Sequence, residues 1–419
     1  MHGDQTSPLL SPLHRNGEGK LSAAQRGEDN KNSPLQPPPA GRVWEVAQVF
    51  LWLGLTAFGG PAAHIGLFRE EVVTRRGWLS DEEFLDLLGA TNLIPGPNST
   101  EMAIHIGYVR AGWRGLIVGG VCFIAPAFVI VLALAALYAQ VGTLPAAQSL
   151  LYGIKPVIIA VIAQAVWGLS KAAVKNRLLA VVALAAFGLS LIGLNELLLL
   201  FGLGLLYMAY KLIRHPSRPR TFALSAGGRK GALIVLLAAL VGLLLSAAAF
   251  DNLFLIFLKI GSVLYGGGYV LLAFLRSEFV GRLGWLTQQQ LLDAVAIGQF
   301  TPGPLFTSAT FVGYILQGVP GALLATVGIF LPAFMFVFLV NPFIPRLRRS
   351  VGLGALLDGV NVAALGLMAA VAGQLAQAAL TDALTLALAA GAAVLLIRFK
   401  INSTWLILGG ALIGLLAGR

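Results

Sequence analysis

The sequence predicts an all-α polytopic membrane protein. It would hold two inverted-topology repeats of about six segments each, joined by one extra transmembrane helix, with helices broken at Pro-Gly-Pro. Three observations predict this. The 419-residue chain is 57% hydrophobic and only 11% charged, with a mean hydropathy of +0.83. Runs such as "LIVGGVCFIAPAFVIVLALAALY" (116–138) and "GALIVLLAALVGLLLSAAAF" (231–250) reach the ~20 residues needed to cross a bilayer. The string Pro95-Gly96-Pro97 returns as Pro302-Gly303-Pro304, inside matching surroundings.

Residues 1–42 differ from the rest. They are rich in Pro, Gly, Ser and mixed charge and hold no apolar stretch long enough for a signal-peptide core. This composition predicts a disordered cytoplasmic tail. The net charge of +11 sits in short loops between apolar runs. That is the pattern of topology-setting charge, not of nucleic-acid binding. A single cysteine, Cys122, excludes an intrachain disulfide framework and a cysteine-based metal cluster.

The repeats are roughly 43–214 and 251–419. Phe58-Gly59-Gly60 aligns with Tyr265-Gly266-Gly267, Arg69 with Arg276, Glu71 with Glu278 and Asn92 with Gln299. "GWLSDEEFLD" (77–86) aligns with "GWLTQQQLLD" (284–293) and, after a one-residue shift, Gly107-Tyr108 with Gly313-Tyr314. Between them, 215–250 is a basic loop followed by a helix with no partner, and one odd crossing turns the second repeat upside down. The loop 211–230 carries six Lys and Arg and no acid, which places it in the cytoplasm. The basic stretches 110–114 and 346–349 have repeat-mates, 317–319 and 141–145, that lack charge. Inverted repeats predict that complementarity. The Arg-bearing loops at 69–77 and 276–282 break the pattern. Either one of them faces outward, or segments such as 43–68 and 80–109 are re-entrant hairpins, which leave the parity unchanged. About thirteen segments are expected.

Ser80 with Glu83 and Thr287 with Gln290 have capping-box spacing, predicting helices that start at 81 and 288 and run into Pro-Gly-Pro. Proline removes a backbone donor and clashes with the preceding turn, so these helices should break. Irregular backbone at membrane depth survives only when buried in protein or lining a cavity. One such break reads equally as a packing kink. Two, in matching positions of inverted halves, point to a transporter's central site. Half-helices starting at Asn98-Ser99-Thr100 and at Thr307-Ser308 would aim free N–H groups at the break, which suits a small oxyanion.

Other candidates keep two readings. Gly59, Gly60, Gly266 and Gly267 serve close helix packing or further unwound backbone. Arg69 and Arg276 are oxyanion partners or pair with Glu71 and Glu278. His64 and His105 are core histidines or proton relays. Lys155, an intramembrane lysine, is a functional candidate, and Glu101 is a proton-coupling carboxylate in one repeat only, its mate being Ser308. No Walker loop, metal spacing or nucleophile elbow occurs, so neither an enzyme nor a resident cofactor or metal is expected.

The strings "FGGPAAHIGLFREEVV" and "GWLSDEEFLDLLGATNLIPGPNSTEMAIHIGY", with their echoes "YGGGYVLLAFLRSEFV" and "GWLTQQQLLDAVAIGQFTPGPLFTSATFVGY", resemble the chromate ion transporters in their long, two-domain form. The resemblance covers 43–419. It implies export of chromate across a bacterial inner membrane, driven by the proton gradient, with chromate resistance as the result and sulfate as a competitor. A transporter of sulfate or another small anion is the alternative reading, ahead of a channel or a membrane enzyme. A homodimer stays open.

Overall fold

The computed structural model describes residues 40–214, 251–265, 268–340 and 351–418. The tail up to residue 39, the linker 215–250, the pair Gly266 and Gly267, and the basic stretch 346–349 lie outside the described residues.

Every element among the described residues is helical. In chain order these are α1 (Ala40–Thr56), α2 (Pro61–Arg69) continuing as a π-helical turn (Glu70–Arg75), α3 (Asp81–Thr91), α4 (Asn98–Val141), α5 (Pro145–Ala173), α6 (Arg177–Leu191) and α7 (Glu196–Arg214). They are followed by α8 (Leu253–Val263), α9 (Leu271–Leu275) continuing as a π-helical turn (Arg276–Arg282), α10 (Gln288–Phe300), α11 (Ser308–Val340), α12 (Val351–Ala379), α13 (Ala383–Arg398) and α14 (Ser403–Ala417). Five of these stretches are long and apolar enough to span a bilayer, and the chain is a multi-pass membrane protein.

α4 is two helices. Ala111 (φ −141°, ψ 24°) and Gly112 (φ 61°, ψ −151°) leave helical geometry, and the arm 98–110 turns back along 113–141. Gly107 lies against Gly115 and Gly119, and Gly119 against the carbonyl of Ala103. The two sequence positions converge from both sides on the turn, which is the signature of an antiparallel pair. Only small residues permit this approach of two backbones. α11 repeats the device: Gln317 (φ −141°, ψ 21°) and Gly318 (φ 63°, ψ −150°) make the same turn, and Gly313 meets Gly321.

Side chains then show where the first arms begin and end. Arg110, at the end of the 98–110 arm, bonds Glu45 near the start of α1 at 2.6 Å. It also lies over the ring of Trp78, just before α3, at 5.0 Å, beside Arg76 over the same ring. Residues 45, 76, 78 and 110 therefore share one end of the bundle. The chain leaves that end along α1, returns along α2, leaves again along α3 and returns along 98–110. Both stretches, 43–68 and 80–109, fold as helical hairpins, the shape that the second of the two options left open by the sequence requires. Phe50 and Phe68, equidistant from the first bend, meet edge to face at 5.6 Å.

The second set is built alike. Asp251 and Arg282 close its first hairpin at 3.2 Å, and Phe257 lies 5.2 Å from Phe279. Its base lies at the far end of the bundle. From Trp113, at the first base, the helix runs 25 residues, about 37 Å, to Tyr138, whose hydroxyl donates to Asp293 in the first half of α10 at 2.8 Å. The expected starts at 81 and 288 are present, with complete capping boxes on Ser80 and Thr287.

Candidate functional site

The four hairpin tips meet inside the bundle. The N–H of Gly303 donates to the carbonyl of Ala57 at 2.9 Å, and the N–H of Gly96 donates to the carbonyl of Leu264 at 2.8 Å. Each Pro-Gly-Pro tip is thus held by the first hairpin of the other set. The glycine between the prolines is required: φ is 146° at Gly96 and 91° at Gly303, values a side-chain-bearing residue rarely adopts. Pro95, Gly96, Pro97, Pro302, Gly303 and Pro304 are all buried.

Helices leaving the tips begin without caps. α2 starts after Gly60, α4 after Pro97, and the 3₁₀ turn Leu305–Thr307 after Pro304, none with a side-chain cap. The starts at the bases are capped, by Ser80, Asn252 and Thr287. Backbone donors that are satisfied at the periphery are left available at the centre, where the dipole of each half-helix presents its positive end.

Gly59, Gly60, Tyr269, Gln299, Thr301 and Gly303 enclose a small cavity beside one tip pair. The Tyr269 hydroxyl contacts Gln299 Oε1 at 3.4 Å, while Gln299 Nε2 is buried with no partner. No charged side chain lines the cavity. It has room for about one water molecule, so a tetrahedral anion enters only if the tips separate. The other tip pair holds Asn92, whose Oδ1 accepts from Asn98 at 2.9 Å, with Ser99 and Thr100 buried behind it. Thr307 is turned onto Pro304 O at 2.8 Å. Thr100 Oγ1, Ser308 Oγ and both oxygens of Glu101 are buried without a partner, as are both ring nitrogens of His64 and of His105.

Other candidates stand away from the tips. Arg69 is half-exposed and bonds Asp81 at 2.6–2.8 Å. It sits nine residues past Gly60, about 13 Å along the helix. Its expected pairing with Glu71 is corrected, because residues two apart on a helix do not face each other; Glu71 instead pairs with Arg76 at 2.7 Å and Arg75 at 3.5 Å. Glu278 likewise pairs with Lys259 at 2.7 Å and Arg282 at 2.6 Å, not with Arg276. Arg276 is half-buried, with an unpartnered Nε. Lys155 joins Asp293 at 3.0 Å and Gln289 at 2.7 Å, a buried strut between α5 and α10 near the second base. Gly266 and Gly267 fall outside the described residues.

Sequence reasoning missed Lys259, Asp293, Tyr138, Tyr269 and Thr301. Lys259 carried a signal, a lysine inside an apolar run, but its repeat-mate Trp52 gave no echo.

Broken helices meeting head to head within an all-α bundle are the geometry in which membrane transporters hold a central site. The chain belongs to the chromate transporter family, whose model matches residues 44–208 and 252–415. It is 32% identical over 402 residues to the chromate transport protein of Cupriavidus metallidurans, covering 92% of this chain and 98% of that one. To the chromate transport protein of Pseudomonas aeruginosa it is 34% identical over 349 residues, 81% of this chain and 82% of the relative. An uncharacterised transporter of Methanocaldococcus jannaschii is 26% identical over 350 residues, 82% and 86% of the two chains. No solved structure matches.

Proposed function

We propose that this chain exports chromate across the bacterial inner membrane as a secondary active transporter driven by the proton-motive force, and so confers chromate resistance. The observation that carries the reading is the tip layer, where two Pro-Gly-Pro breaks and uncapped helix starts present backbone donors to one buried place. Tetrahedral chromate accepts several such bonds at once, and sulfate, of the same shape and charge, competes. The two hairpin sets form inverted repeats of which one moves against the other, opening the tips alternately to each side. Arg75, Arg76, Arg110 and Arg114 crowd the first base, with Lys175 and Lys211 on other cytoplasm-facing helix ends, so that base and the N-terminal tail face the cytoplasm. A membrane potential negative inside assists dianion export by ~2.3 kcal/mol per charge per 100 mV. The anion is bound chiefly by Gly59, Gly60, Asn98, Gln299 and Ser308 and the free donors beside them, with Gly96 and Gly303 holding the tips in place.

Chromate accumulation in energised everted vesicles containing the chain tests this, with sulfate titrated as competitor. Inward pumping that Gly303→Ala abolishes is expected. Sulfate moving while chromate does not would replace the substrate; neither moving would overturn the reading.

A further inference from the structure

Among the described residues, Glu101 is a carboxylate fully buried without a partner. It is 0% exposed, and neither carboxylate oxygen has a hydrogen-bond partner. It lies in the first turn of the uncapped half-helix after Pro97, with its carboxylate packed directly against Gly96, where any side chain would collide with it. The groups around it are few. Tyr265 follows Leu264, whose carbonyl accepts from the N–H of Gly96 on the same tip, α11 brings Ala333 up to Gly96, and His105 follows one turn later on the same helix, itself unpartnered. No cation among the described residues bonds it. A charged carboxylate left unpaired in such a place is costly, and intramembrane acids that persist there belong to ion or proton paths.

Its repeat-mate sharpens the point. Ser308 occupies the equivalent place in the other tip pair, packed against Gly298, neutral and also unpartnered. One tip pair, beside the cavity, has donors and no charge; the other has a single carboxylate. On the reading that an oxyanion seats among the tips, a dianion and a charged Glu101 share one poorly screened layer and repel each other. We propose that Glu101 carries a proton whenever the oxyanion is bound, taking it up on binding at any pH where it is otherwise charged, so that proton and anion bind cooperatively and cross in the same direction. Linkage makes this reciprocal: whatever the anion does to proton affinity, the proton does to anion affinity. Exchange of anion for proton needs the opposite, mutual exclusion. Because only one repeat carries the acid at this place, the count is one proton per anion, and the complex moves with one net negative charge: the electrical part of the proton-motive force drives it outward, against the pH gradient.

The test uses the purified full chain in weakly buffered detergent solution at alkaline pH, where chromate is wholly the dianion. Chromate binding and the accompanying pH change are recorded together. Wild type should take up close to one proton per anion, with affinity rising up to about tenfold per unit fall in pH while Glu101 is charged. Glu101→Gln should bind chromate with no proton uptake and no pH dependence, and Glu101→Asp should keep both. In proteoliposomes, chromate leaving down its gradient should carry protons out with it. Binding without proton uptake in wild type, uptake persisting in Glu101→Gln, or protons moving against the anion would each overturn this inference and leave the function standing. No chromate binding at all would overturn the functional reading and this inference with it.

Discussion

Gly54 offers a prediction in which two opposing effects can be weighed. It lies one turn before the first tip, where α1 crosses α4, and a Cβ there would sit 2.7 Å from the carbonyl oxygen of Phe123, 3.1 Å from Pro126 Cγ and 3.2 Å from the carbonyl of Cys122. Carbon and carbonyl oxygen approach to about 3.3 Å in close backbone packing, so Gly54→Ala must push the helices apart by roughly 0.6 Å. Alanine is the better helix former by about 1 kcal/mol, whereas overpacking of this kind costs about 1–3 kcal/mol. The collision is with backbone on both sides, which cannot rotate away, so overpacking wins and the net loss is about 1 kcal/mol. Gly391, mid-helix in α13 with nothing within 4 Å of its Cβ position, keeps only the first effect. Gly391→Ala should raise stability by up to about 1 kcal/mol. Thermal unfolding in detergent reads both. Chromate flux should fall in Gly54→Ala beyond what its lost stability explains, because the displaced helix carries Ala57, which accepts the 2.9 Å bond from Gly303. If Gly54→Ala unfolds at or above the wild-type temperature and transports normally, the close crossing is not what fixes the tip.

Lys155→Ala should destabilise by about 3–5 kcal/mol, since it leaves buried Asp293 with only the Tyr138 hydroxyl; adding Asp293→Asn should recover most of the unfolding temperature. Arg110→Ala removes the bond to Glu45 and the contact on Trp78, for about 1–2 kcal/mol in a denaturation series. Arg69→Ala should change stability by less than about 1 kcal/mol, its ion pair being half-exposed, and leave chromate flux within a few-fold of wild type. A loss greater than tenfold would put Arg69 in the anion's path.

The features legible in the sequence were those set by local chemistry. Ser80 and Thr287 announce their helices because a capping hydroxyl and a Glu or Gln three residues on satisfy each other's neighbours. The Pro-Gly-Pro breaks follow from a missing donor and a ring clash. The hairpins were left as one of two options because charge reports only which side a loop faces, and a hairpin returns to the side it left. The turns at Gly112 and Gly318 fall within 110–114 and 317–319, the stretches that the charge pattern already marks as loops. Side-chain partners were the least legible. Glu71 faces Arg75 and Arg76, not Arg69, because direction around a helix decides contact. The struts Lys155–Asp293 and Lys259–Glu278 join residues far apart in sequence, which no local pattern records.

The two bonds between tips also fix an order of events in time. Gly303 and Ala57 are about 250 residues apart, and at the ribosome's pace of about 5–20 residues per second the first tip waits roughly 12–50 s for its donor. Through that interval the first two hairpins hold open backbone groups at membrane depth with nothing to receive them. The nascent first half must therefore keep its tips near the interface or in the care of the insertion machinery until the second half arrives. Correct assembly is then a matter of timing as well as of sequence, and chains interrupted between 214 and 300 are the ones expected to be degraded.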